Sequence, residues 1–398
     1  MRVGLIAMLR ASEDGSLRGS LPLAGRSVLA WQAALLRSLG VERVLCLIES
    51  TSADVIALQQ ELEGQGLQFH ALKGFAAIPA LVRAEDDLVI LLDGLVPDPA
   101  VVQAVFGGKD GLARAVATAP ADHPLAAAHP EDFERIDAGR HWAGVLAMRG
   151  APVQQLADFP ADADPIPVLL RIALQAGTPT QDLTARELVP ESWFLAESPA
   201  ALARHETALI ARAAPPADWR APSLALASAL VRRAVPRGIA QGGLIAGGSS
   251  LALMLVGVMA AAFGFPALGL AAAGLGVFGS QVAGGFGAIS ARLRREEPAE
   301  NAQAILAGTV DVLAGIVLWF ALAPWPDWVP LAVLGPVVIG LARVLASSGD
   351  TGMATAARDR TSLLLLLALS AAFGFLPETL ACLALGLLAA LLLRRDKE

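Results

Sequence analysis

The chain has no tyrosine, two cysteines and three lysines, and aromatic residues make up only 5 % of its 398 positions. Charged residues are scarce too, at 17 %. Each shortage excludes something. Cys46 and Cys382 have no CxxC partner and cannot build a disulfide framework, so a reducing compartment fits. The five histidines (His70, His123, His129, His141 and His205) each stand alone, which reads as surface or core histidine rather than as nucleophile partner or metal ligand. Few charges beside 55 % apolar residues and a mean hydropathy of +0.58 exclude both intrinsic disorder and a wholly soluble protein. A net charge of −7 argues against a nucleic-acid partner. The missing tyrosine and the dominance of arginine over lysine read as mutational bias and point to no function.

What is present is divided in two. Residues 1–230 carry 18 basic and 27 acidic residues, whereas residues 231–398 carry 12 and 10. The second part holds apolar runs at about 240–263, 266–290, 303–323, 328–346, 361–376 and 378–393. A membrane span needs roughly 20 apolar residues, and the last two runs are short. Charge decides the count. Arg232, Arg233 and Arg237 precede the first run; Arg292, Arg294 and Arg295 follow the second; Arg343 ends the fourth; Arg358 and Arg360 precede the fifth; Arg394, Arg395 and Lys397 follow the sixth. The opposite turns, at Phe265-Pro266, Pro324–Trp328 and Leu376–Glu378, contain no lysine or arginine. Six spans place every basic residue on one face, with both termini and the leading domain cytoplasmic. The N-terminal apolar run is too short for a signal peptide. These features predict a multi-pass protein of a bacterial-type inner (cytoplasmic) membrane, in contact with membrane lipids.

The leading part predicts an α/β fold. Val3–Met8 reads as a strand, Ser27–Leu39 as a helix ending at Gly40, Val41–Ile48 as a strand and Ser52–Glu63 as a helix. Phe69–Leu72, a helix over Ala77–Arg83 and the strand Leu88–Leu92 follow. Alternating strands and helices give a mostly parallel sheet, whose ligands sit beyond the carboxyl ends of its strands. That singles out the loop Leu9–Leu23 and Asp93.

The stretch from Gly15 to Leu45, GSLRGSLPLAGRSVLAWQAALLRSLGVERVL, resembles the opening of MobA-like nucleotidyltransferases, whose pattern is roughly AAGxGxR…PKxLLPVxGRPLL. The resemblance implies a three-layer Rossmann-like domain that binds a nucleoside triphosphate such as CTP on a glycine-rich loop. It also implies a basic residue on the phosphates and a later aspartate on Mg²⁺. Leu21-Pro22-Leu23-Ala24-Gly25-Arg26 fits the second half of the pattern. The first half departs: no GxG follows the first strand, and Leu17-Arg18 stands for the Pro-Lys pair. The resemblance thus assigns Arg18, Gly19 and Arg26 to nucleotide binding, and Asp93 to the metal, with Asp98 nearby. The plainer readings are scattered surface arginines, and a turn-forming aspartate before Gly94.

The chain as a whole is similar to fused proteins in which such a cytidylyltransferase domain leads into a six-span CDP-alcohol phosphotransferase, of the inositol-phosphate cytidylyltransferase and di-inositol-phosphate-phosphate synthase type. In this frame residues 1–195 form the cytoplasmic nucleotidyltransferase-like domain, 196–238 a helical juxtamembrane linker and 239–398 an all-α six-helix transmembrane domain. Glu206, Asp218, Arg232 and Arg233 take the charged positions of the joint. The family signature, DxxDGxxAR followed by GxxxDxxxD, supplies four carboxylates for two divalent ions, which activate the diphosphate substrate. Here Ala291-Arg292 matches the AR. The first two aspartates fall on Gly284 and Gly287, the family's glycine on Ala288, the third aspartate on Asp311 and the fourth on Gly315.

One carboxylate cannot hold a two-metal site. The resemblance therefore predicts a phospholipid-headgroup protein with a degenerate membrane site, in a binding or scaffolding role. The alternative is an active enzyme that uses a diverged metal site to transfer a phospho-alcohol from a CDP-alcohol. Asp311 is a metal candidate, and otherwise a relic paired to Arg292 or Arg295; Arg292 is also a cofactor-binding candidate. Ala272, Gly276, Ser280, Gly284 and Ala288 form a small-residue stripe, read as close helix packing or as a groove for a headgroup. Glu296, Glu297 and Glu300, beside Arg292, Arg294 and Arg295, read as a solvated turn or, alternatively, as replacements for the missing metal ligands. Leu202, Leu209 and Ile210 give the helix Pro199–Arg212 an apolar face suited to docking on a membrane. A homodimer through the spans is implied by the family alone.

Overall fold

A computed structural model describes residues 1–108, 111–160, 163–213, 218–234, 239–294, 300–324, 332–347 and 352–395; the side chains of 212–213, 239–241, 292–294, 300–302 and 394–395 are not described. The chain forms two compact units, Met1–Leu209 and Ile210–Glu398.

The first unit is built on a seven-stranded sheet. Its strand order is Thr180–Asp182, Ala115–Pro120, Arg140–Arg149, Asp87–Leu91, Arg2–Met8, Arg43–Ile48 and Gln68–Leu72. The last four run parallel, while Arg140–Arg149 is antiparallel to both its neighbours. Val3–Met8 and Val44–Ile48 are buried at every position, so both faces of the sheet are covered, as a parallel sheet requires. Ser27 and Ser52 cap the helices Val28–Ser38 and Ala53–Gly64, accepting the N–H groups of Ala30 and Val55. This is the Rossmann-like fold expected from the sequence; the seven elements expected up to residue 92 fall within a few residues of their expected bounds, with the short hairpin strands Pro22–Leu23 and Arg26–Ser27 in addition. The helix expected over 77–83 shrinks the most, to Ile78–Leu81. The first strand has the second on one side and Asp87–Leu91 on the other. Their carboxyl ends therefore flank a topological switch point, where open α/β sheets bind ligands.

The second unit is helical throughout its described residues. Four helices are long and apolar enough to cross a membrane, at Gly242–Ala262, Pro266–Ala291, Gln303–Ala321 and Leu376–Leu393. Two further apolar helices, Leu334–Ser347 and Arg360–Ala372, have 14 and 13 residues. The six expected runs thus become six helices, but the short ones are the fourth and fifth, not the fifth and sixth. Gly264 at φ +85 and Gly374 at φ +80 end two helices in matching Phe-Gly-Phe turns, each followed within three residues by a proline. Helices Ile239–Ala262 and Pro266–Arg294 approach closely through Gly257 and Gly269. A Cβ on either would lie 2.8 Å from the other's carbonyl oxygen. The small-residue stripe divides: Gly276 packs against Met254 and Ser250, whereas nothing lies within 4 Å of a Cβ placed on Gly284.

Candidate functional site

At the switch point Asp93 follows strand Asp87–Leu91, and Gly94 turns the chain away at φ +77. The Asp93 carboxylate crosses to the end of the first strand. There its Oδ2 accepts the backbone N–H groups of Leu9 and Arg10, each at 2.7 Å. Its Oδ1 has no partner among the described residues. Burial pushes the Asp93 carboxyl up to about 6; the two N–H bonds and the charges of Arg18 and Arg10 oppose this without overcoming it. The same carboxylate, with burial as the larger cause, drives the Cys46 thiol up to about 12, so Cys46 is inert packing.

Arg18 and Gly19 come to this place and Arg26 does not. Arg18 Nη1 bonds Asp132 Oδ1 at 2.9 Å, and Arg10 Nη2 meets Asp164 Oδ2 at 3.2 Å. A Cβ on Gly19 would lie 2.8 Å from Met8 Cγ, so the loop passes directly over the strand end. Arg26 pairs with Glu61 of helix Ala53–Gly64 and lines no part of the cleft. Its motif, Leu21–Arg26, forms a tight hairpin in which Ala24 and Gly25 both take positive φ, and Glu206 accepts the Ala24 N–H at 3.0 Å. Asp98 caps the helix Pro99–Phe106.

The cleft measures about 40 Å³ and is acidic, since Glu131, Asp132, Glu134 and Asp164 join Asp93 in its lining. The first three went unnoticed in the sequence; their signal was the acid-rich run before strand Arg140–Arg149. The loop over the cleft spends its amides on its own chain. Ser12 N–H bonds Ser16 O, Gly15 N–H bonds Ser12 O, Ser16 N–H bonds Asp14 and Arg18 N–H bonds Arg10 O. Hydrogen bonds from Ser12 and Ser16 hold the Asp14 carboxyl down at about 2. A phosphate cradle needs such amides free, so a nucleotide entering here must displace these bonds. Among the described residues no three His, Cys, Asp or Glu side chains converge on a metal position. The free Asp93 oxygen fits Mg²⁺ only as one ligand beside phosphates and water.

The second unit places Asp311 between two arginines. Its Oδ2 meets Arg343 Nη1 at 3.0 Å and its Oδ1 meets Arg360 Nη1 at 2.8 Å. The expected partners were Arg292 and Arg295. The side chain of Arg292 lies outside the described residues, as do Arg295, Glu296 and Glu297. Of the other signature positions, Gly284 opens onto a cavity of about 240 Å³, and a Cβ on Gly287 would lie 2.7 Å from Gln303 Nε2. Gly315 faces Pro336. Sequence reading missed Asp359, which caps helix Arg360–Ala372 through the Ser362 N–H and accepts the Ser223 N–H, both at 3.0 Å. The apolar face of helix Pro199–Ala213 is also reassigned. Leu202 is buried, with Leu209 packed alongside, against Leu21, Leu23, Val28 and Val96 of the first unit, so these two residues are not free for a membrane.

No family model matches the chain, and no curated protein matches it. Solved structures similar to the N-terminal half are nucleotidyltransferases. One is a putative glucose-1-phosphate thymidylyltransferase from Bacillus anthracis, 13 % identical over 52 % of this chain and 95 % of that one, with a TM-score of 0.39. Another is the inositol-1-phosphate CTP transferase from T. maritima, 16 % identical over 50 % of this chain and 91 % of that one, with a TM-score of 0.36.

Proposed function

We propose that this chain is a multi-pass membrane protein related to phospholipid-headgroup synthesis, in which the membrane unit has lost metal-dependent phosphotransfer and acts by binding or scaffolding. The observation that carries this is the Asp311 clamp. Its two oxygens face two guanidinium groups, and glycine occupies the other three signature positions. Among the described residues, two divalent ions brought beside these two arginines would have one carboxylate to share, in an unfavourable field. In this reading six spans cross the membrane with both termini cytoplasmic, since every basic run then lies on one side. A homodimer through the spans completes it.

One observation favours a second reading, an enzyme still active in its first unit: among the described residues Asp93 Oδ1 is buried without a partner, within the field of Arg10 and Arg18. The test is a turnover and thermal-shift screen of the full chain in lipid nanodiscs with CTP, CDP-alcohols and Mg²⁺. The expected result is no Mg²⁺-dependent transfer to lipid or alcohol. Robust transfer from a CDP-alcohol overturns the proposal, and Mg²⁺-dependent consumption of CTP alone moves the activity to the first unit.

A further inference from the structure

Helix Pro222–Ala234 is built the wrong way round for water. Its buried side chains are small: Ser223, Ala225, Ala227 and Val231. Two of its three leucines are exposed, Leu226 at 55 % and Leu230 at 48 %. They lie four residues apart and so share one face. In the turn just before the helix, Trp219 is 71 % exposed. An amphipathic helix in water hides such residues and shows polar ones. Among the described residues nothing covers them.

What covers them follows from where the helix sits. It rests on helix Pro266–Arg294 at two places. A Cβ on Gly285 would lie 3.0 Å from Val231 Cγ2, and the Ser223 hydroxyl meets Gln281 Oε1 at 3.0 Å. Gln281 and Gly285 lie 15 and 19 residues beyond Pro266, about 23 and 29 Å along the helix. The apolar core of a bilayer is about 30 Å thick, so a span that starts at Pro266 reaches the lipid headgroups at this level. Between the two contacts helix Pro222–Ala234 advances eight residues, about 12 Å, while its partner advances four, about 6 Å. The shorter helix therefore slants across the longer one instead of running beside it. The Ser223 N–H, bonded to Asp359 at the start of helix Arg360–Ala372, pins it there. Two leucines and a tryptophan are thus exposed level with the boundary between lipid chains and headgroups. Tryptophan concentrates at that boundary, and helices lying in it bury an apolar face.

From this placement we infer that helix Pro222–Ala234 lies in the membrane surface as an anchor, with Trp219, Leu226 and Leu230 inserted among the lipid chains next to the headgroups. The inference rests on the reading that Pro266–Ala291 crosses a bilayer, and adds a second mode of contact with lipid. It also moves the membrane-docking role from the helix at 199–213, where Leu202 and Leu209 are covered by protein, to the next helix along the chain.

Spin labels on the full chain in phosphatidylcholine nanodiscs test this. Leu226→Cys and Leu230→Cys are each made together with Cys382→Ser, while Cys46 is buried and stays unlabelled. Leu275→Cys, exposed and nine residues beyond Pro266, is the reference for the span. Oxygen, which concentrates in lipid, should relax the labels at 226 and 230 more strongly than a water-soluble nickel chelate does. Relaxation mainly by the chelate places the leucines in water, and protection from both reagents means that protein covers them; either result overturns the inference. If the chelate reaches position 275 as well, the span reading fails and the inference with it. A second measurement needs no label. Phosphatidylcholine brominated near the headgroup should cause a larger loss of tryptophan emission in the parent than in Trp219→Phe, and equal losses in the two overturn the inference.

Discussion

Asp93 in the first unit and Asp311 in the second are both buried, 2 % and 7 % exposed, yet they are held by opposite means. Asp93 is held by neutral donors, two backbone N–H groups, while the nearby Arg10 and Arg18 are committed to Asp164 and Asp132. Its charge therefore stays expensive. Asp311 is held by two guanidinium groups directly, and the excess charge around it is positive. A lone carboxylate at the place where a metal ligand is expected can thus be a proton-binding strut or the centre of an ion cluster, and the donors around it tell which.

The largest effect is expected on the ionic side of this comparison. Asp311→Asn leaves the buried Arg360 without its counter-charge, a loss of about 3–5 kcal/mol when a buried pair is broken from one side, while the half-exposed Arg343 adds little. Thermal unfolding in nanodiscs should show a clear fall in midpoint. Arg360→Gln added to Asp311→Asn should lose less than the sum of the two, because the second change removes a charge already stranded. A single variant as stable as the parent would mean that the clamp carries no weight.

Asp93 should respond in the other direction. Its folded carboxyl titrates at about 6 against an ordinary 3.8, so the folded state binds the extra proton between those values. Stability is fully present below about pH 4, falls as pH rises through 6, and by neutral pH has lost about 3 kcal/mol. Asp93→Asn keeps an oxygen for the Leu9 and Arg10 N–H groups and removes the charge. It should stabilise the first unit at pH 7 by up to that amount and flatten the dependence between pH 4 and 6. Hydrogen-exchange protection of the Leu9 and Arg10 amides across that range reads the outcome. A variant less protected than the parent at pH 7 would show that the charge itself holds the loop.

Both positions were visible in the sequence, and their surroundings were not. Asp93 stood out because an apolar strand ended on it, and Asp311 because it interrupted an apolar helix. Periodicity and the Ser27 and Ser52 caps likewise made the early strands and helices legible, since these are local patterns. The partners are long-range. Strand Arg140–Arg149 inserts antiparallel beside Asp87–Leu91, and the loop before it supplies Glu131, Asp132 and Glu134 from about 40 residues downstream of Asp93. For Asp311 the sequence leaves open a metal role or a pairing with Arg292 or Arg295, and it takes Arg343 and Arg360 from two other helices, a choice set by helix packing that no spacing reveals. Leu202 and Leu209 show the same limit: an apolar helix face announces that it must be covered, but not by what.

The smallest effect separates the geometry of the Asp93 site from its charge. Gly94 has φ +77, and a Cβ there would lie 2.9 Å from both Cβ and Cδ of Arg18. Gly15, in the loop over the cleft, has φ +83 with nothing within 4 Å. Alanine at either position pays the left-handed backbone cost, about 1 kcal/mol or somewhat more. Gly94→Ala should cost about 1 kcal/mol beyond Gly15→Ala, because it must also shift Arg18 away from Asp132. Neither change touches the Leu9 and Arg10 bonds to Asp93, so both variants should keep the loss of protection between pH 4 and 6, displaced but unchanged in shape. If Gly94→Ala alters that shape, Arg18 tunes the Asp93 proton more strongly than its ion pair with Asp132 implies, and the neutral-donor account of Asp93 gives way to a second, weaker version of the clamp around Asp311.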